Sequence, residues 1–273
     1  MRKKRRLDLL LVERGLVDSR ESAKRRILAG EVRVDGRTIA KPGTQVPDDA
    51  TVELTGKPER YVSRGGYKLE RALEVFRLDV RDRVVLDAGA STGGFTDCLI
   101  QHGARLVYAV DVGYGQLAWK LRQDPRVRPI ERTNIRHVTL GMFDPPPEMA
   151  TADLAFIGLS LVMPVFARLL PEGGLFFPLI KPQFEAGREF VERGGVVTRP
   201  EVHRQVLLKV AQRGLEVGLV PLAATYSPLR GPAGNLEFFL LFRKEATEEK
   251  ALAEPLRSQI EETVQEAHRT LKP

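Results

Sequence analysis

Four ionisable residues, Lys68, Asp153, Lys181 and Glu237, occupy positions from which an α/β protein could stabilise charge and move a proton. Lys181 directly follows the apolar run Leu175 to Ile180 and precedes Pro182, which cannot continue a hydrogen-bonded ladder. That places Lys181 at the carboxyl edge of a sheet, where open α/β sheets bind ligands. Glu237 interrupts the apolar run Leu236 to Phe242, and a carboxylate there needs a cation beside it, because burying an unpaired charge is costly. Asp153 precedes a fourth strand-like run, Leu154 to Ile157, and Lys68 lies on a short helix that opens the larger domain. Taken singly, each of the four reads equally well as half of a structural ion pair.

A second group of residues suits a small ligand. Val84-Val85-Leu86-Asp87 runs into Ala88-Gly89-Ala90-Ser91-Thr92-Gly93-Gly94-Phe95, an apolar strand entering a glycine-rich turn and then a helix. Such a turn brings backbone N–H groups and a helix N-terminus against a nucleotide-like molecule. Charge separates the two main candidates. A dinucleotide would set its pyrophosphate against Asp87, which repels it. S-adenosylmethionine carries an ammonium and a sulfonium and no phosphate, so Asp87 favours it. The next strand ends in Asp111, followed by Val112, and a carboxylate at a second-strand tip can take the ribose hydroxyls of an adenosine. The plainer alternative is that Asp111 caps a turn at Gly113-Tyr114-Gly115.

The elements that must hold these residues follow from periodicity. Val84–Leu86, Leu106–Val110, Val127–Ile130, Leu154–Ile157 and Leu175–Ile180 are short apolar runs with helical segments between most of them. This predicts an α/β domain with a doubly wound, mostly parallel sheet. Late runs at Glu216–Thr225 and Leu236–Phe242 add strands, and Glu245–Leu271 reads as a charged helix with Leu252, Leu256, Ile260, Val264 and Ala267 on one face. Ahead of this lies a small α/β module. It has one helix carrying Leu7, Leu10, Leu11 and Leu16 and ending near Gly15, a second from Arg20 to Ala29 capped by Ser19 and stopped by Gly30, a strand and turn at Val32–Gly36, and a closing strand at Thr51–Leu54. The predicted boundaries are 1–58 for the module, 59–66 for a linker and 67–273 for the large domain.

Charge assigns the module a partner. The net charge is +7, and residues 1–41 hold 13 Lys/Arg against 6 Asp/Glu, so the rest is neutral. A cationic segment beside a neutral body suits a polyanion, nucleic acid first and an anionic membrane second; the plainer alternative is a solubilising charged face. Arg5, Arg6, Arg20, Lys24, Arg25, Arg26 and, in the linker, Arg64 are the expected nucleic-acid contacts. No apolar run approaches the roughly 20 residues of a membrane span, and the single cysteine, Cys98, fits a reducing cytoplasm. The four histidines are scattered, no His/Cys pair has zinc-ligand spacing, and no metal is expected. Trp119 and the pair Phe238-Phe239 read as core residues, and no partner protein is indicated.

Together, Lys68, Asp153, Lys181, Glu237 and the glycine-rich loop resemble the FtsJ/RrmJ-like ribose 2′-O-methyltransferases with their Lys-Asp-Lys-Glu tetrad. With the N-terminal module included, the chain resembles the TlyA (haemolysin A-like) family, an S4-like RNA-binding domain fused to a Rossmann-like class I methyltransferase. Tyr61–Gly66, Asp87–Thr96, Asp111–Leu117, Glu131–Asn134, Lys181–Glu185 and Gly234–Glu237 carry the likeness. The resemblance implies S-adenosylmethionine held by Asp87, Gly89, Ala90, Ser91, Thr92, Gly93, Gly94, Phe95, Asp111, Val112, Asn134 and Asp153. It implies catalysis by Lys68, Asp153, Lys181 and Glu237, and cytidine ribose methylation in small- and/or large-subunit ribosomal RNA. The long C-terminal helix resembles the family form associated with both subunits. The chain departs from the family at Ala155 and Gly158, where serines are usual. Two other readings compete: a non-catalytic ribosome-assembly factor, which the intact tetrad argues against, and a membrane-active haemolysin, which the lack of a long apolar or basic amphipathic segment argues against.

Overall fold

A computed structural model describes residues 4–17, 20–55, 59–246 and 251–271, the side chain of Glu21 excepted. The expected cap at Ser19 and the module end at 56–58 lie outside the described residues. The chain divides into two compact units, Met1–Ser63 and Arg64–Pro273.

The first unit comprises β1 (Lys4–Arg6), α1 (Leu7–Glu13), α2 (Arg20–Leu28), β2 (Val32–Val34), β3 (Arg37–Thr38), β4 (Gln45–Pro47) and β5 (Val52–Leu54). β2 is the centre of a three-stranded antiparallel sheet, and β1 pairs with β4. Asp35 and Gly36 both take positive φ, which makes the tight β2–β3 turn that their sequence signals. Leu7, Leu10 and Leu11 of α1 pack with Ala23 and Ile27 of α2 and with Val32, Val34 and Val46. Asp8 is buried among them, and its carboxylate accepts from Arg6 (3.0 Å) and Arg20 (2.9 Å), which hold its pKa down at about 2.

The second unit runs α3 (Gly65–Phe76), β6 (Val84–Ala88), α4 (Gly94–Gln101), β7 (Leu106–Val110), α5 (Trp119–Arg122), β8 (Val127–Ile130), β9 (Met149–Ala152), α6 (Met163–Leu169), β10 (Leu175–Phe176), β11 (Leu179–Ile180), α7 (Pro182–Glu185), α8 (Pro200–Glu216), β12 (Leu219–Tyr226), β13 (Phe238–Lys244) and α9 (Glu254–Thr270). β6 and β7 are buried throughout, as parallel strands covered on both faces must be. The sheet order is β8-β7-β6-β9, then β10 and β11, then β13 and β12. β10 and β11 lie against one strand, β13, and are separated at Phe177 and Pro178. The chain winds from β6 outward through β7 and β8, then returns to β9 on the other side of β6. The crevice between the carboxyl ends of β6 and β9 is therefore the topological switch point.

Four sequence expectations shift. The fourth strand is Met149–Ala152, not Leu154–Ile157, which is loop. Small, buried Ala150, Thr151 and Ala152 form the strand without presenting an apolar run. The α8 helix continues to Glu216 where a strand was expected, and Gly218, with φ +78°, ends that segment before β12. Glu237 precedes β13 instead of interrupting it. α9 begins at Glu254, not Glu245, with Pro255 in its first turn, where a missing N–H is harmless.

Candidate active site

The shifted fourth strand moves Asp153 to a carboxyl tip, and its N–H donates to Ala88 O (2.9 Å) at the end of the neighbouring β6. β11 ends at Ile180, so Lys181 emerges at the same edge, where its Nζ lies 2.6 Å from Asp153 Oδ1. β13 runs antiparallel to β10 and β11, so Glu237, just before it, also falls at this edge. Lys68 of α3 meets it there, with Nζ 2.5 Å from Glu237 Oε2. The four residues thus form two lysine–carboxylate pairs, and Asp153 and Lys181 both act electrostatically on Glu237. Glu237 is 1% exposed, and burial pushes its carboxyl above the ordinary range against the pull of Lys68. Gly231 makes room for it: a Cβ there would stand 2.5 Å from Glu237 Oε1.

Beside the pairs lies a cleft of about 670 Å³ bordered by Gly89, Ser91, Asp111, Val112, Asn134 and Asp153. Gly89 has φ +83°, and a Cβ there would meet Asp153 O at 2.5 Å, so the loop approaches β9 as closely as it does only with glycine. Asp111 accepts from the N–H of Ser91 (2.8 Å) and of Gly113 (2.6 Å). It therefore does cap the turn, and it also ties the glycine-rich loop to the second strand. Each carboxylate oxygen keeps a lone pair for a further donor.

Six other residues expected to hold the ligand build the turn and do not border the cleft. Asp87 is fully buried, its Oδ2 accepts from Thr96 (2.6 Å), and burial pushes its pKa up to about 7. The sequence made Asp87 a favourable partner for the cofactor's cations; it lies buried beneath the turn, with Oδ1 lacking a hydrogen-bond partner among the described residues. Ala90, Gly93 and Gly94 are buried in the turn, Thr92 O accepts from Ala118 N, and Phe95 packs on Phe239 (ring centroids 6.0 Å apart).

The cleft has walls that the sequence reading missed, among them Ile135, Arg136, Leu154 and Phe156. Phe156 is 91% exposed, has φ +62° and lies 5.3 Å from Phe184, ring centre to ring centre. Its signal, an aromatic just after Asp153, was hidden by reading this loop as strand. Glu185 was also missed as a support. It is buried, accepts from Leu159 N (2.7 Å), and so pins the loop after Asp153 to the helix after Lys181. Burial raises its pKa to about 7. Gly158, one of the two departures from the family, sits against it: a Cβ there would lie 3.3 Å from Glu185 Oε2, so the usual serine would bring a hydroxyl to that carboxylate.

Of the expected RNA contacts, Arg26 is corrected. It is 5% exposed on the inward side of α2, next to Ser22, Ala23 and Ile27, with Glu31 at 3.8 Å. Lys24 and Arg20 are exposed, although Arg20 also holds Asp8. Arg5 pairs with Glu13 and Asp48, Arg6 with Asp8, and Arg25 with Glu59. Arg64 is exposed in the second unit and donates to Arg230 O (3.0 Å). The histidines are not all scattered: His203 Nδ1 and His268 Nε2 are 2.8 Å apart between α8 and α9. Cys98 is buried, as are Phe238 and Phe239, but Trp119 is not a core residue.

This sheet order, with a glycine-rich loop and a polar edge at its switch point, defines a Rossmann-like methyltransferase joined to a small RNA-binding module. The chain belongs to the FtsJ-like methyltransferase family, whose profile matches residues 61–244, and an S4 domain profile matches residues 5–52. TlyA of Mycobacterium tuberculosis, named a 16S/23S rRNA (cytidine-2′-O)-methyltransferase, is 46% identical over 244 residues, covering 89% of this chain and 91% of TlyA. YqxC of Bacillus subtilis, provisionally named an rRNA methyltransferase, is 49% identical over 273 residues, 99% of this chain and 96% of YqxC. A solved Streptococcus thermophilus protein, provisionally described as a hemolysin, superimposes with a TM-score of 0.78 at 43% identity, covering 100% and 98% of the two chains.

Proposed function

We propose that this chain transfers a methyl group from S-adenosylmethionine to a cytidine ribose 2′-hydroxyl in ribosomal RNA of the small and/or large subunit, in the cytoplasm. The observation that carries this reading is the convergence of Lys68–Glu237 and Lys181–Asp153 at the sheet edge that borders the cleft. The cleft has the size of a small-molecule site, and its residues suit this cofactor: carboxylates of Asp111 and Asp153 and the amide of Asn134 border it, with Arg136 the one basic side chain in its described lining. When bound, the cofactor supplies an electrophilic sulfonium methyl. Asp111 would hold the ribose hydroxyls and the Gly89–Ser91 loop would follow its contour. Asp111→Ala should weaken S-adenosylhomocysteine binding about 10- to 100-fold, because charge-assisted bonds are worth about 1.5–3 kcal/mol each. Calorimetry checks this, and affinity equal to the parent chain would remove Asp111 from the site.

A ribose hydroxyl is a weak nucleophile, so holding it in line supplies much of the rate. Lys181, paired with Asp153, would orient the oxygen and stabilise the negative charge that develops there. Lys68 and Glu237 would fix the electrostatic balance around that amine. The S4-like unit would bind phosphates through Lys24 and its neighbours. Lys24→Ala should lower the log–log salt slope of RNA binding by somewhat under one unit.

The deciding experiment incubates purified protein and labelled S-adenosylmethionine with isolated ribosomal subunits and maps alkali-resistant ribose positions. A 2′-O-methylcytidine that depends on Lys181 supports the reading. Label on a base, or none on RNA, defeats it.

A further inference from the structure

Trp119 is 73% exposed and Tyr114 is 68% exposed, both in the segment that follows β7 beside the cleft. Neither exposure reflects a loose end. Leu117 and Leu121, on either side of Trp119, are buried, and the space over Gly93 is filled by their side chains. α5 is thereby anchored to the glycine-rich loop while Trp119 faces outward. Tyr114 is fixed in the same way from the next loop. Arg132 N donates to Gly113 O (3.0 Å), Glu131 accepts from Gly115 N (2.9 Å), and the Arg132 guanidinium lies 4.2 Å from the Tyr114 ring centre.

The surrounding charge is mostly positive. Residues 112–136 contain six basic side chains (Lys120, Arg122, Arg126, Arg128, Arg132, Arg136) against two acidic ones, Asp124 and Glu131. Glu131 pairs with Arg122, and Asp124 pairs with Arg126, while Lys120 reaches Asp97 of α4 at 3.0 Å. Arg132 is engaged by the Tyr114 ring, and Arg136 contacts the Asn134 amide. The second unit holds 28 Lys/Arg against 26 Asp/Glu, a net of +2, and residues 112–136 alone net +4. This region is continuous with the cleft, since Val112, Gln116 and Arg136 border both.

We propose that Trp119, with Tyr114 and Arg132, forms a stacking platform for unpaired RNA bases that flank the methylated nucleotide. This rests on the RNA reading above. Single-stranded nucleic acid is held by aromatic faces set among cations, because every base has a π-face and every linker a phosphate. The core of a protein–protein interface is instead depleted of charge, which this patch is not.

The chain has one tryptophan, so tryptophan emission, excited at the red edge where tyrosine does not absorb, reports on Trp119 alone. The test titrates the full chain, saturated with S-adenosylhomocysteine, with a single-stranded oligocytidylate of about twelve nucleotides. Anisotropy of a labelled copy of the same RNA measures binding independently. Emission should be quenched in step with binding. Trp119→Ala should bind the RNA about 5- to 100-fold more weakly, with S-adenosylhomocysteine affinity unchanged, and Trp119→Phe should retain most of the affinity. RNA binding by anisotropy with constant emission, and an equally tight Trp119→Ala chain, overturns the platform and leaves the RNA reading intact. No RNA binding by the parent chain overturns that reading and the platform with it. A dimer of the parent chain that Trp119→Ala dissociates, seen by sedimentation, assigns the patch to self-association and also overturns the platform.

Discussion

Replacing Lys181 with alanine will slow single-turnover methyl transfer by about 10²–10⁴-fold, the range for a positioned proton-transfer or charge-stabilising group. The amine stands at the end of β11, 2.6 Å from Asp153 and beside the cleft. Pro182 opens α7 immediately after it, which fixes the direction in which the chain leaves the sheet. A cation at this point acts on charge that exists only in the transition state, so it changes turnover and not ground-state binding. Affinities for S-adenosylhomocysteine and RNA will therefore stay within a few-fold of the parent chain. Lys181→Arg will recover only part of the loss, since a guanidinium keeps its proton and has a different shape. Rapid-quench kinetics at saturating cofactor and RNA measures the effect. A Lys181→Ala chain within a few-fold of the parent would make Lys181 a structural partner of Asp153 and nothing more.

The second large effect is on stability. Lys68→Met removes the ammonium 2.5 Å from Glu237, leaving a carboxylate that is 1% exposed without its partner. Breaking a buried pair in this way costs about 3–5 kcal/mol. The cost will depend on pH. Burial already raises the Glu237 carboxyl above its ordinary range, and loss of Lys68, the strongest opposing influence, raises it further. A folded-state pKa above the unfolded value means that the folded chain holds the extra proton in the interval between them, so stability falls as pH rises through that interval. The deficit of Lys68→Met relative to the parent will thus be larger at pH 8 than at pH 5. Urea unfolding at the two pH values, followed by near-ultraviolet dichroism, gives the comparison. Lys68→Met/Glu237→Gln should regain much of the loss at pH 8, because no charge is then stranded. Equal deficits at both pH values would mean that another cation, such as Lys181, takes over Glu237.

The sequence by itself determined the features that depend on neighbours along the chain. The glycine-rich turn was legible because Gly89 and Gly93 need positive φ, and the β2–β3 turn because Asp35-Gly36 does. β6, β7 and β8 were legible as short apolar runs, α9 as a heptad-like face, and Lys181 as an edge residue because Pro182 stops the ladder. Tertiary structure decided the rest. Which lysine meets which carboxylate depends on strand order: Lys68 and Glu237 are 169 positions apart and meet only because β13 returns antiparallel. Asp153 reached the edge because small buried residues made a strand that an apolar-run reading passes over. Arg26 turned inward, Asp87 closed over and Trp119 turned outward for one common reason. Helix and strand periods say which residues share a face, but only the packing of other elements decides which face is covered.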